Sequence, residues 1–321
     1  MVGTAACCLQ GHRWPPVTPA SRYYAEINLR HPNDPRVAAL GRVPARSRVL
    51  DLGMADGSLA RVLTAMGCTV TGVDIDAEAV AAAAEVVDDA ILADLGAVDL
   101  PTLLGGRRFD VVLALDVLEH LSDPVSVLRS MIDVVADEGW AVLSIPNVSH
   151  ISVRMDLLRG RFTYRDTGLL DRTHLRFFDR AGLDALLDQA GWVPIDHVQI
   201  TREYGETEIT ADPELADLAR DVAEEPDALT YQFVVVAVPE GSPVLSRPPV
   251  LPAAEAQSTL LEAVTYIRHL ESELAALTRI VPPDLGDMLE SIRVGSINRR
   301  QSLRDLLVAV QENTKRMSQY I

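Results

Sequence analysis

Short apolar runs alternate with amphipathic segments from Ser47 to about Trp192. The runs are predicted as strands at 48–53, 69–75, 90–94, 109–116 and 139–147. Between them, apolar residues recur at the three- and four-residue spacing of helices. The runs are almost entirely apolar, as in strands that are covered on both faces. This pattern predicts a parallel sheet with right-handed crossovers and helices on both sides.

Two further apolar runs, at 193–200 and 229–239, predict two more strands. A helical stretch, "FFDRAGLDALLDQAGW", precedes them, and an acidic helical insert, "DPELADLARDVAEE", separates them. The predicted fold class is therefore α/β, with a Rossmann-like seven-stranded and mostly parallel sheet in residues 47–240. Residues 1–46 are predicted to form an N-terminal cap segment.

The pattern changes after residue 240. Residues 241–256 are rich in Pro and small residues, which is typical of a linker. Residues 257–321 carry apolar residues at helical spacing, and a coiled-coil extension is predicted there. These helices would either fold back on the domain or pair with a second copy. We favour a homodimer, because the linker would let the helices leave the domain.

The charge distribution argues against a nucleic-acid partner. The 321 residues carry a net charge of −17, and residues 241–321 contain nine basic and nine acidic residues. The whole excess of acid therefore lies in residues 1–240, where it repels phosphate. No run reaches the roughly 20 apolar residues of a membrane span. Without a secretory pattern or a disulfide framework, a cytoplasmic protein is expected.

A glycine-containing turn follows the first predicted strand, in "DLGMADGSLARVL". Gly53 and Gly57 would let a ligand approach the backbone at the carboxyl end of the strand. The helix after Gly57 would point its positive end at the same place. Asp74 follows the turn by about 20 residues and ends the second strand, as in nucleotide-binding sites.

Three acids, Asp51, Asp74 and Asp94, lie at successive strand ends. A single acid at such a position is most often a solvated end or a helix cap, whereas three together indicate a binding site. Asp74 would accept from ribose hydroxyls and Asp94 from an adenine amino group. NAD(P) and S-adenosyl-L-methionine both contain these groups. Two acids at the glycine turn, Asp51 before it and Asp56 within it, favour S-adenosyl-L-methionine, because they would repel a pyrophosphate and attract an ammonium and a sulfonium.

The motifs "VLDLGMADG", "VTGVDID", "ADL" and "FDVVLALDVLEHLSDP" resemble those of class I S-adenosylmethionine-dependent methyltransferases. The resemblance covers about 48–192, and more loosely continues to 239. It is similar to a branch associated with bacterial glycan and secondary-metabolite methylation. The resemblance implies a seven-stranded sheet whose last strand is antiparallel. Ala55 stands where this family usually has glycine.

The same resemblance implies which residues contact the cofactor. They lie in the loop after the first strand and at the ends of the second, third and fourth strands: Asp51, Gly53, Gly57, Asp74, Ile75, Asp94, Leu95, Leu115 and Asp116. Tyr24, in the leading segment, is a candidate aromatic cap over the sulfonium. A packing role for this tyrosine is the alternative.

Residues 147–178 are predicted to face the methyl acceptor. They include "GLLDRTHLRFFDR", in which hydrogen-bonding side chains stand among Leu and Phe. A hydroxyl acceptor requires a general base, for which His is suited. The catalytic candidates are His174 and His120, with Asp171 placed to orient the imidazole of His174.

Four more residues are predicted to contact the acceptor: His150, Tyr164, Arg172 and Arg176. The alternatives are a solvated loop for His150, capping or packing for His120, and structural salt bridges for at least one of the arginines. Asp116, Glu119, His120 and Asp171 could also assemble into a metal site. That arrangement is less favoured, and no metal is predicted.

These observations predict a methyltransferase that acts on a hydroxyl of a small molecule or glycan, with a sugar hydroxyl preferred. An N- or C-methyltransferase of natural-product biosynthesis is the related alternative. A catalytically inactive scaffold that acts through the C-terminal helices is the alternative from another class. Ala55 keeps the scaffold open, whereas the three acids argue for a functional cofactor site.

Overall fold

A computed structural model describes residues 27, 31 and 33–246, which form one α/β sheet structure. The strands are β1 Arg48–Leu52, β2 Thr69–Asp74, β3 Asp89–Leu92, β4 Phe109–Leu115, β5 Val135–Pro146, β6 Trp192–Thr201 and β7 Thr230–Pro239. The helices are α1 Pro35–Leu40, α2 Ser58–Ala65, α3 Ala77–Ala83, α4 Leu100–Leu103, α5 Pro124–Ile132, α6 Ile151–Leu158, α7 Arg180–Ala190 and α8 Ala216–Val222. Short 3-10 helices span Leu118–His120, Pro213–Leu215 and Pro243–Leu245.

All seven strands belong to one sheet with the order β3-β2-β1-β4-β5-β7-β6. Strands β1 to β5 pair in parallel, and β7 lies antiparallel between β5 and β6. The predicted seven-stranded sheet with an antiparallel last strand is therefore confirmed. The strand order reverses between β1 and β4, and ligands of such sheets bind at this point, outside the carboxyl ends of the strands.

The central strands are buried on both faces, as their apolar sequences predict. In β4, Val111 and Leu113 pack with α1 and α2 on one side. Val112 and Ala114 pack with α4, α5 and α7 on the other side. The two-residue alternation of a strand divides this apolar run between two cores.

Two elements differ from the predicted ones. Helix α5 ends at Ile132 and β5 already begins at Val135, whereas this strand was predicted at 139–147. The backbone N–H of Phe109 bonds to the carbonyl of Val134 at 2.8 Å, which joins the start of β5 to β4. The segment 147–178, predicted only as a wall for the acceptor, contains helix α6. Its weak helical periodicity hid this helix, since its apolar and polar residues do not separate into two faces.

The predicted cap, linker and tail fall mostly outside the described residues. This applies to Tyr24 and to all of 247–321, and so the helical extension and its dimer stay predictions. At the start of the predicted linker, Val244 is buried against the domain core. Within the described part of the chain, helices are all too short or too polar to cross a membrane.

Candidate functional site

The carboxyl edge of the sheet is open to solvent at four neighbouring strands. Gly53 after β1, Ile75 after β2, Asp94 after β3 and Asp116 after β4 are exposed, although the strands that lead to them are largely buried. Backbone and carboxylate groups are therefore accessible along the edge where the cofactor was predicted.

The loop after β1 is shaped by its glycines. Gly53 has φ +76°, and a Cβ at this position would lie 2.5 Å from Cγ2 of Val117. Gly57 has φ +75° and begins α2 without a side-chain cap. Ala55, between them, takes φ +47°, a left-handed conformation that favours glycine. The loop thus keeps its shape with alanine, at a cost in backbone strain.

Asp74, at the end of β2, holds this loop against the neighbouring strand. Its Oδ2 accepts from the backbone N–H of Ala55 at 2.9 Å, and its Oδ1 accepts from that of Asp76 at 2.9 Å. Each carboxylate oxygen can accept more than one hydrogen bond. The position therefore remains suited to the predicted contact with ribose hydroxyls.

Asp51 is an acid without a compensating partner. Its side chain is 3 % exposed, and Oδ2 has no hydrogen-bond partner among the described residues. Burial, and then the nearby negative charge of Asp74, raise the pKa of Asp51 to about 7. A ligand cation beside this carboxylate would offset both effects.

These residues fit the predicted cofactor. The orphaned carboxylate of Asp51 suits an ammonium, and Asp74 suits a diol. Ile75 and Leu92 are apolar side chains that are 67 % and 56 % exposed, and they offer a surface for an adenine ring. Asp94, beyond Leu92, uses Oδ1 to accept from the backbone N–H of Gly96 at 2.8 Å. Its other oxygen, Oδ2, can accept from the amino group of the adenine.

Asp116, at the end of β4, is held by two residues that the sequence did not reveal. Its backbone is left-handed, with φ +55°. Oδ1 accepts from Nε2 of Gln232 at 2.6 Å, and Oδ2 accepts from the hydroxyl of Ser144 at 3.3 Å. The amide of Gln232 also bonds to that hydroxyl, at 2.9 Å. Desolvation by the surrounding protein raises the pKa of Asp116 to about 6.

Ser144 and Gln232 gave one signal in the sequence. Each is a polar residue inside an otherwise apolar strand, β5 or β7, and both are nearly or fully buried. A buried polar side chain requires a hydrogen-bond partner. The partner, Asp116, is 116 residues from Gln232, and nothing local in the sequence identifies it.

Glu119 lies in the 3-10 helix that follows β4. It is 1 % exposed, and neither carboxylate oxygen has a hydrogen-bond partner among the described residues. Burial, and then the negative charge of Asp116, raise the pKa of Glu119 well above its usual value. The sequence suggested this residue only as part of a less favoured metal site.

The predicted catalytic histidines lie together beside Glu119. The ring centroids of His120 and His174 are 4.9 Å apart in an edge-to-face arrangement. One potential ligand atom from each of Glu119, His120 and His174 lies within 4.8 Å of the others. The backbone N–H groups of Leu175 and Arg176 bond to the carbonyl of Glu119 at 2.8 and 3.0 Å, which keeps the segment of His174 in place.

Asp171 shapes the turn that carries His174. Its Oδ1 accepts from the backbone N–H of Thr173 at 2.8 Å and from its hydroxyl at 2.6 Å. The backbone carbonyl of Asp171 accepts from the N–H of His174 at 3.0 Å. These contacts fix the turn, whereas the predicted orientation of the imidazole by the carboxylate stays a prediction.

An aromatic group lies next to His174. Phe177 is 6.0 Å from His174 between ring centroids, and Phe162 is 5.6 Å from Phe177. Tyr164 contacts both phenylalanines and is 52 % exposed, so it is accessible to a ligand as predicted for an acceptor contact. We call Phe162, Tyr164 and Phe177 the aromatic wall.

His150 has a different position from the predicted one. It is fully buried and begins α6, where its Nδ1 accepts from the N–H of Ser152 at 3.2 Å. Its Nε2 lies 3.0 Å from the carbonyl of Arg202. With both ring nitrogens engaged inside the protein, His150 has a structural role and is not brought to the acceptor site.

The two arginines of the segment are engaged in different ways. Arg172 is exposed and pairs with Asp166 at 2.6 Å. Arg176 donates to the carbonyl of Ser122 at 2.7 Å, and so attaches the segment to the loop after the 3-10 helix. Arg172 is therefore the more accessible of the two predicted acceptor contacts.

The comparisons agree with this architecture. The family description "Methyltransferase domain" matches residues 24–197, more than half of the chain. A ubiquinone biosynthesis O-methyltransferase of Psychrobacter arcticus is 30 % identical over 160 residues, which are 47 % of this chain and 61 % of that protein. One from Pseudomonas putida is 32 % identical over 146 residues, 42 % of this chain and 59 % of that protein. The matched segments thus span about three fifths of these relatives.

Among solved structures, the CcbJ methyltransferase of Streptomyces caelestis is similar, with 19 % identity and a TM-score of 0.44 over 65 % of this chain and 96 % of that chain. The match over residues 24–197 places the chain in the methyltransferase domain family. Membership of this family agrees with the S-adenosyl-L-methionine site predicted from the sequence.

Proposed function

We propose that the protein transfers a methyl group from S-adenosyl-L-methionine to a hydroxyl oxygen of a small molecule. The observation that carries this proposal is the position of the Glu119, His120 and His174 cluster beside the end of β4. The resemblance of the sequence to the methyltransferase family implies that Asp116, which follows β4, lies near the methyl group of the bound cofactor. An acceptor hydroxyl that lies between the methyl group and this cluster would have a histidine nitrogen on the side away from the methyl group, and this nitrogen would accept the hydroxyl proton.

The chain supplies the binding, the orientation and the proton acceptor for this reaction. When bound, the cofactor supplies an electrophilic methyl group on a sulfonium. Asp51 and Asp74 would hold the cofactor by its ammonium and its ribose, and transfer of its methyl group to the acceptor oxygen would leave the electrons of the carbon–sulfur bond on sulfur. The hydroxyl proton passes to a neutral ring nitrogen of His174, for which His120 is the alternative base. Holding the oxygen in line with the methyl group is the main contribution to the rate.

The acceptor is proposed to have an apolar or aromatic face. Tyr164 and Phe162 are exposed beside the cluster, and such a surface binds a flat or apolar molecule. The relatives named as O-methyltransferases support an oxygen acceptor. A sugar hydroxyl, preferred in the sequence analysis, also fits when its ring stacks on the aromatic wall. Transfer to nitrogen or carbon stays the related alternative.

A transfer assay with isotopically labelled S-adenosyl-L-methionine tests the proposal on a panel of phenols and sugars. His174→Ala should lower kcat with the active acceptor at least 100-fold, since a general base contributes roughly 100- to 10,000-fold. Calorimetric titration should give the same cofactor Kd for the variant and the wild type. His197→Gln is the control, because this exposed histidine lies on β6 and bonds to Arg180.

Different results would lead to different conclusions. Unchanged turnover in His174→Ala would remove His174 from the reaction. Methyl transfer to amines and not to hydroxyls would overturn the O-methyltransferase proposal. Cofactor binding without transfer to any acceptor would favour the scaffold alternative, as would a loss of function on deletion of 247–321 while cofactor binding persists.

A further inference from the structure

We infer that Glu119, His120 and His174 form a binding site for one divalent transition-metal ion. The sequence suggested a less favoured metal site that contained Glu119 and His120, but with Asp116 and Asp171 and without His174, and a general base without metal was preferred. The inference adds a metal ion to the site of the proposed function. Any role of this ion in catalysis rests on that proposed function. The binding of the ion itself is independent of any acceptor.

The first argument is the state of Glu119. Its carboxyl group is 1 % exposed, and both oxygens lack a hydrogen-bond partner among the described residues. Buried polar groups are nearly always bonded, and an unpaired buried carboxylate is costly. A neutral carboxyl group would resolve only half of this, because its O–H could point to Asp116 while its carbonyl oxygen would still lack a partner among the described residues. A cation is the partner that satisfies a carboxylate directly.

The second argument is the kind of side chains around that carboxylate. Two imidazoles and one carboxylate form the donor set of catalytic zinc sites and of several iron sites. Mg²⁺ and Ca²⁺ prefer oxygen ligands, so this set favours a transition metal. Each of the three side chains offers an atom within 4.8 Å of the other two. Around a tetrahedral ion with bonds of about 2.1 Å, such atoms lie roughly 3.4 Å apart. Side-chain movements of about 1 Å would therefore close the site.

The third argument is the contact behind His120. Its Nδ1 lies 3.1 Å from the carbonyl of Thr173. A carbonyl can only accept, so Nδ1 carries the proton in this contact, and in the neutral ring Nε2 is the nitrogen with the lone pair. Metal-binding histidines usually donate their second ring N–H to a carbonyl or carboxylate in this way. The contact therefore selects the tautomer that a metal requires.

The backbone also prepares His174 for this role. Glu119 is in the 3-10 helix, and its carbonyl accepts from the N–H groups of Leu175 and Arg176. The residue that supplies the carboxylate thus fixes, through its backbone, the segment that supplies the third ligand. Asp171 further fixes the turn through Thr173. A site with rigid supports loses little conformational entropy when it binds an ion.

In the proposed reaction the ion has a positioning and electrostatic role. Three protein ligands leave a coordination position open, as in catalytic metal sites. A hydroxyl at this position would be oriented by the ion and its pKa lowered, so that its proton would pass to solvent and its oxygen would attack. With both histidines bound to the ion, this would take the place of proton transfer to a histidine. The aromatic wall lies beside His174 and would hold the remainder of the acceptor.

Direct metal binding tests the inference. Untagged full-length protein, stripped with a chelator, is titrated with Zn²⁺ by calorimetry and with Co²⁺ by visible absorption. We expect one Zn²⁺ with a Kd below 1 μM, and Co²⁺ bands typical of a nitrogen and oxygen donor set. Glu119→Gln and His174→Gln should each weaken Zn²⁺ at least 100-fold. His197→Gln should not change the Kd.

Several outcomes would overturn the inference. One is that the wild type binds no Zn²⁺ more tightly than Glu119→Gln. Another is that every variant keeps the same Kd, which would place the ion elsewhere in the chain.

Should Glu119→Gln fail to fold, as judged by thermal melting, His120→Gln gives the same comparison. If no ion binds but His174→Ala still loses transfer, the metal inference fails and the O-methyltransferase proposal stands. If the ion binds but only amines are methylated, the metal inference stands and the O-methyltransferase proposal fails.

Discussion

The cofactor edge and the acceptor side of this site are constructed in different ways. On the cofactor edge, short loops and single acids follow β1, β2 and β3, and each group is close in sequence to the element that positions it. On the acceptor side, Asp116 bonds to Gln232 across 116 residues, and Glu119 lies beside His174 across 55. The first region is a set of local features, whereas the second exists only when distant parts of the chain are assembled.

The difference has a consequence for how each region tolerates change. A substitution at the cofactor edge disturbs contacts in the adjoining short loops, such as those of Asp74 with the backbone of Ala55 and Asp76. A substitution on the acceptor side leaves buried polar partners unsatisfied, and its effect spreads through the network. The following variants test this contrast, from the largest expected effect to the smallest.

Asp74→Ala should have the largest effect on cofactor affinity. A charged acceptor contributes roughly 1.5–3 kcal/mol to each hydrogen bond, and a ribose offers two hydroxyls. We expect the Kd for S-adenosyl-L-methionine, measured by calorimetry, to rise about 1000-fold. Asp76→Ala, two residues further on, removes a helix cap and not a proposed ligand contact. An equal loss in both variants would contradict the assignment of Asp74.

Asp51→Asn should increase the stability of the cofactor-free protein at high pH. The folded-state pKa of Asp51, about 7, lies above the ordinary value of 3.8 for an aspartic acid side chain. The folded state therefore binds the proton more tightly, and stability falls as the pH rises from about 4 to 7. Asparagine cannot ionise and avoids this cost. At pH 8 we expect a gain on the order of 2–4 kcal/mol in the free energy of unfolding.

The gain in Asp51→Asn should shrink towards pH 4, which urea unfolding at several pH values would show. The variant should also bind the cofactor more weakly at pH 8, since it has no charge to attract the ammonium. A stability difference that does not change with pH would mean that Asp51 does not titrate in this range.

Gln232→Leu should lower turnover by about 10- to 30-fold and change the cofactor Kd by less than threefold. Loss of the amide leaves Asp116 and Ser144 without a shared donor inside the protein, which costs roughly 1–3 kcal/mol. Val234→Leu, two residues along β7 and packed in the core on one face of the sheet, is the control for altered packing. Steady-state kinetics with a fixed acceptor separate the two parameters. A selective loss of cofactor affinity would assign Gln232 to the other region.

Ala55→Gly should have the smallest effect, a stabilisation of about 0.5 kcal/mol. Relief of the left-handed backbone gains roughly 1–2 kcal/mol, and the greater freedom of glycine in the unfolded chain offsets about half of it. Ala60→Gly, within α2, lacks such relief and should destabilise by about 1 kcal/mol. Thermal melts compare the two. Destabilisation by both would mean that Ala55 is not strained.

Most of the fold could be predicted from the sequence, because it follows local patterns. All seven strands were placed within a few residues, and the acids Asp51, Asp74 and Asp94 could be found since each directly follows or ends an apolar run. Helix α6 was missed because its apolar residues do not lie on one face. The partners of Asp116 and the cluster around Glu119 depend on tertiary contacts that no short motif encodes. His150 shows the same limit, since its burial follows from packing and not from its neighbours in sequence.

The position of β7 also determines the order in which the molecule can be completed during synthesis. Among the described strands, β6 pairs with β7 alone, and β7 separates it from β5. While the ribosome has not yet released residues 230–239, β6 has no partner and the outer edge of β5 is uncovered. The nascent chain can form its cofactor edge at that stage but not the contact of Gln232 with Asp116. We therefore expect cofactor recognition to arise before the acceptor side, and chains released early to expose two strand edges that favour aggregation.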